Sequence, residues 1–150
     1  MGTFDWNKVE SSELSDYGLF SGKIADRLKK VKEASEEKNL CPRVLCGLNN
    51  ADRDHAYLDL LKDDPDSVMN GILACAEALG AEETELYLPE NETELAEKLK
   101  GSLEEKGIAL KTGIINVREA ADDFIIHIAG AADLAAVLPG EWNHVVFVAS

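Results

Sequence analysis

The residues best suited to chemistry lie in three short polar segments. The first is Asn49-Asn50-Ala51-Asp52-Arg53-Asp54-His55, dense in hydrogen-bond donors and acceptors and placed directly after an apolar run. The second is Pro89-Glu90-Asn91-Glu92, and the third is Ala129-Gly130-Ala131-Ala132-Asp133, where a glycine would let a ligand approach the start of a helix. None matches the three-glycine dinucleotide fingerprint or the phosphate loop that ends in Lys and Ser or Thr. The first segment also reads as a plain Asn/Asp turn, because these side chains favour turns for backbone reasons. His55 beside Asp52 and Asp54 is too sparse a set to assign a metal, so no metal ligand is named. No serine or cysteine occupies a G-x-S-x-G elbow, and no catalytic residue is assigned. His127 alternates along an extended run and reads as a half-buried structural residue, while His144 carries no partner signal.

The elements that must hold these segments follow from periodicity. Ile24, Leu28 and Val31 recur at helical spacing within Ser21 to Glu37. Arg43 to Leu48 is a continuous apolar run after Pro42, suited to a strand buried on both faces. A short helical patch through Leu58, Leu60 and Leu61 follows the polar loop. Asp64 then caps a helix with Pro65 at its first position, with Val68, Ile72, Cys75, Ala76 and Leu79 on one face and Gly80 as the left-handed exit. Thr84 to Leu88 reads as a second strand stopped by Pro89. Asn91 with Glu94 is the expected capping pair for a helix carrying Leu95, Leu99 and Leu103 and ending at Gly107. Ile108 to Lys111 and Ile114 to Val117 form a third extended region broken at Gly113. A strand over Phe124 to Ile128, a helix over Ala131 to Leu138 and a last strand over His144 to Ala149 complete the pattern.

Strands alternating with helices over short connections imply right-handed crossovers and a mainly parallel sheet, an α/β, Rossmann-like fold with flanking helices. The expected organisation is a loosely ordered segment over residues 1–20, rich in Ser, Asp and Glu, and a single α/β domain over 21–150. The 150-residue length suits one domain, and 45% hydrophobic with 29% charged residues is an ordinary globular balance.

Charge narrows the partners. Twenty-nine acidic residues against fifteen basic ones leave a net charge of −14, which repels a phosphate backbone and an anionic membrane surface. No nucleic-acid partner is expected. No apolar stretch approaches the ~18 residues of a membrane helix, and Met1 to Trp6 offers neither a basic start nor an apolar run, so no direct membrane insertion and a cytoplasmic location are expected. Cys41 and Cys46, separated by four residues with no second pair, have the wrong spacing for zinc or a redox couple. Cys46 and Cys75 fall on apolar faces and are expected as buried free thiols.

The runs Val44-Leu45-Cys46-Gly47-Leu48-Asn49-Asn50-Ala51-Asp52, Asp64-Pro65-Asp66-Ser67-Val68-Met69-Asn70-Gly71-Ile72 and Ala78-Leu79-Gly80-Ala81 resemble the flavoprotein subunit of NADH-quinone oxidoreductase, shared with soluble hydrogenases and formate dehydrogenases. In that family a strand ends in Asn-Ala-Asp, and a helix then opens with Asp-Pro and ends in Leu-Gly-Ala. Glu85-Leu86-Tyr87-Leu88 and Asp123-Phe124-Ile125-Ile126-His127-Ile128-Ala129-Gly130 resemble its next strands, and the resemblance extends over about residues 14 to 140. It implies an FMN- and NADH-binding fold that works in electron transfer beside other subunits of a redox complex. Carried over residue by residue, Gly18, Gly22 and Lys23 would lie near the phosphate, Asn50 and Asp52 at the isoalloxazine or ribityl groups, and Glu90 and Gly130 at neighbouring strand ends.

The departures are as informative. Only Gly18 and Gly22 remain of a glycine-rich loop, the segment after Asn-Ala-Asp is shortened, and the family's Cys-Gly-Glu-Glu stretch is reduced to Gly130-Ala131-Ala132-Asp133. The family's iron–sulfur cysteines have no counterpart, so no iron–sulfur cluster is expected in this chain. Each loss removes a cofactor contact and spares the core. The sequence therefore leaves two readings open: an NADH-dehydrogenase-like oxidoreductase domain that binds FMN or NADH, or a non-catalytic relative that serves as a structural or regulatory protein-binding module.

Overall fold

A computed structural model describes residues 4–14, 23–47, 55–113, 115 and 122–138. In chain order the elements are α1 (Trp6–Ser12), α2 (Ile24–Lys38), β1 (Val44–Gly47), α3 (His55–Asp63), α4 (Pro65–Leu79), β2 (Thr84–Leu88), α5 (Thr93–Lys106), β3 (Ile108–Thr112), β4 (Phe124–His127) and α6 (Ile128–Val137). The four strands form one sheet in the order β3-β2-β1-β4, and every pairing is parallel. This is the α/β, Rossmann-like architecture expected from the alternation of elements.

Local chemistry explains the boundaries. Asp64 accepts from the Ser67 amide at 3.3 Å and from the Ser67 hydroxyl at 2.7 Å, so α4 opens on its expected cap with Pro65 in the first turn. The helix leaves through Gly80 at φ 66°, a left-handed value that costs glycine no Cβ clash. Two boundaries differ from expectation. Helix α5 begins at Thr93 with Glu92 as its cap position, and no side chain caps it, so the Asn91–Glu94 pair does not form. Strand β4 ends at His127 and passes straight into α6, which leaves no loop at Ala129 to Asp133. The expected final strand over His144 to Ala149 lies outside the described residues.

Strand alternation divides the core by sheet face. Val44, Cys46, Leu86, Leu88, Phe124 and Ile126 join the main cluster with Leu28, Met69, Ile72, Leu99 and Leu134 from the helices. Leu45 and Ile125 point to the opposite face, where they cluster with Ile115 and the half-buried Tyr87. All four residues of β1 are buried, as a central strand covered on both faces requires. Val9 of α1 is also in the main cluster. Helices α4 and α6 pack side by side so closely that a Cβ built on Gly71 would sit 1.9 Å from the Ala131 carbonyl oxygen. Cys46 and Cys75 are buried free thiols, and Cys41 is exposed.

Candidate functional site

Strand order locates the site before any side chain does. From β1 the chain steps outward to β2 and β3, and it then returns to the other flank of β1 as β4. Strand order therefore reverses between β1 and β4, and in an open parallel sheet ligands bind beyond the carboxyl ends of the strands at such a point. Gly47 and His127 are paired in register at this edge. The segment after Gly47 contains Asn50 and Asp52; both lie outside the described residues, as do Gly18 and Gly22.

His127 is the polar side chain of β4 at this edge. Its side chain is fully buried, and its Nδ1 accepts a hydrogen bond from the Ala129 amide at 3.1 Å. An imidazole nitrogen that accepts carries no proton, so the proton of a neutral ring sits on Nε2. The effect is a helix cap supplied by histidine, and it satisfies an amide in the first turn of α6 that has no partner within the helix. Sequence reading placed His127 as a half-buried structural residue and did not see this role. The signal was present: Ile128-Ala129-Gly130-Ala131-Ala132 has no Ser, Thr, Asp or Asn before it, so His127 holds the nearest side-chain acceptor.

The remaining expected ligand residues fall at the same end of the sheet with different surroundings. Gly130 is buried in the first turn of α6 rather than open in a loop. Lys23 stands at the start of α2, which runs antiparallel to the strands: Arg27 near its beginning reaches the Ile125 carbonyl, and Lys38 at its end pairs with Asp122, just before β4. This direction brings Lys23 toward the carboxyl ends. Its ammonium is held by Glu13 at 2.8 Å, and this hydrogen bond raises the lysine from its ordinary value and lowers the glutamate. Glu90 is exposed in the turn after β2. Nearby, Lys62 faces Glu92 at 3.7 Å, beside a cleft of about 270 Å³ also lined by Glu94, Leu95 and Lys98. The cleft thus sets two lysines against two glutamates, with Lys62 and Glu92 the pair in contact.

The amino end of the sheet is built differently. The Arg43 amide donates to Asp123 Oδ1 at 2.8 Å, and its guanidinium donates to Asp123 Oδ2 through Nη2 at 2.8 Å and Nε at 3.2 Å. Nη1 reaches Glu85 at 3.4 Å, and the other oxygen of Glu85 accepts from the Tyr87 hydroxyl at 2.9 Å. The hydrogen bonds to Asp123 raise the guanidinium above its ordinary value. Elsewhere, burial raises the Glu77 carboxyl on α4, one of whose oxygens is buried without a hydrogen bond. Among the described residues, no group of three or more His, Cys, Asp or Glu is placed to hold a metal ion, and no helix is long and apolar enough to cross a membrane.

No family model and no curated protein matches the chain. Solved structures do, among them two of an NAD+-reducing NiFe hydrogenase. The H2-reduced state superposes with a TM-score of 0.68 and the air-oxidized state with 0.66, each at 16% sequence identity over 88% of this chain. The matched region is 30% of the hydrogenase chain in the first and 29% in the second, so this chain spans less than a third of its neighbour's length. At that identity the likeness establishes the fold, and the fold is the one the sequence implied.

Proposed function

We propose that the chain is a flavin- or nucleotide-binding domain of the NADH-dehydrogenase flavoprotein type, taking part in electron transfer within a redox complex. The observation that carries the reading is the reversal of strand order between β1 and β4, the kind of point at which open parallel sheets bind ligands, and the polar run Asn49 to Asp54 follows β1 in the sequence. The structural likeness to an NAD+-reducing hydrogenase supports the same direction, as a neighbour that acts on a nicotinamide nucleotide. In this reading FMN or NADH supplies the electron chemistry when bound, and the protein orients it. Asn50 and Asp52 would contact the ring or ribityl groups, with Gly18, Gly22 and Lys23 toward the phosphate. Glu90 and Gly130 would border the ligand at the ends of β2 and β4.

The described residues set conditions on that fit. A phosphate at Lys23 has to share the ammonium with the carboxylate of Glu13, 2.8 Å away, and meets its negative charge. It cannot use the Ala129 amide while His127 holds it. These two contacts favour a second reading, a scaffold that keeps the fold, gives up the cofactor and binds a protein partner through its acidic surface.

The two readings separate on one preparation. The first expects protein that purifies yellow, with flavin absorbance at about 450 nm, and that FMN or NADH protects against heat. Ligand at a hundred times its Kd should add about 2.7 kcal/mol of apparent stability. Colourless protein whose melting temperature neither FMN nor NADH moves would overturn the first reading and leave the scaffold.

A further inference from the structure

We draw no further inference here: the strongest candidate, the cleft beyond β2 lined by Lys62, Glu92, Glu94, Leu95 and Lys98 at the start of α5, is a helix N-terminus beside mutually compensating charges, and nothing else among the described residues points to a ligand there.

Discussion

At the amino end of the sheet, Arg43 gathers Asp123 and Glu85 into a charged network that reaches Tyr87, whereas at the carboxyl end His127 caps α6 and Gly71 admits the Ala131 carbonyl. One end is held by charge and the other by close packing and a single capping bond. The contrast bears on function. Parallel sheets place ligands at the carboxyl ends of their strands, so the amino end is free to use its polar side chains for cohesion. Its carboxylates are 11% and 9% exposed, shielded enough for the guanidinium to matter. The carboxyl end uses its own imidazole to hold an amide at the start of α6.

The largest expected effect comes from breaking the packed end. Gly71→Ala forces a methyl group against backbone that cannot swing away, and it should cost about 3 kcal/mol, the upper part of the usual overpacking range. Denaturant unfolding measures the loss, and an unchanged midpoint would show that α4 and α6 are not pressed together at Ala131. Gly101→Ala is the matched control in α5, where an added Cβ meets nothing within 4 Å. The same substitution there should stabilise by about 1 kcal/mol through helix propensity alone.

Next in size is the charged end. Arg43→Met strands two poorly exposed carboxylates. The expected loss is about 2 kcal/mol, below the range for a fully buried pair because the arginine is 33% exposed and water screens it. Unfolding of Asp123→Asn alongside it sharpens the assignment: if the asparagine variant and Arg43→Met are fully additive when combined, the two side chains are not coupled.

His127→Ala should cost about 1 kcal/mol from the lost cap, and more where the ring leaves a void. His127→Asn restores a short acceptor and should recover part of the loss. If alanine and asparagine are equally destabilised, the hydrogen bond to Ala129 contributes nothing measurable. The smallest effect concerns Glu77, in the last turn of α4. Burial makes its carboxyl hold a proton more tightly folded than unfolded, so stability falls as pH rises from the ordinary 4.5 through the raised folded value. Glu77→Gln should therefore raise the melting temperature slightly at pH 7 and leave it unchanged at pH 4. A gain of equal size at both values would show that the charge is not the cause.

Much of the fold was legible because it rests on local signals. Asp64-Pro65 and Gly80 bracket α4 through capping and backbone conformation, which a few adjacent residues decide. The apolar run of β1 showed burial on both faces because a central parallel strand has no polar side to display. The misreadings share a cause as well. Asn91 was a reasonable cap on propensity, yet α5 starts without a side-chain cap, since burial of Leu95, Leu99 and Leu103 sets its position. At Ala129 to Asp133 the glycine pointed to a loop, but the apolar residues around it are buried as helix against α4.

For the candidate site, sequence supplied the polar segments and the residue types, because these need no partner to be recognised. By itself it determined an acidic chain, free thiols on apolar faces, and alternating strands and helices. Only the tertiary structure decided that β4 lies against β1, that Gly47 and His127 meet at their carboxyl ends, and that Lys23 is answered by Glu13. Those are relations between residues far apart in the chain. Periodicity reports which face of an element is apolar, but strand order depends on which faces meet, and that is settled only when the whole core is assembled.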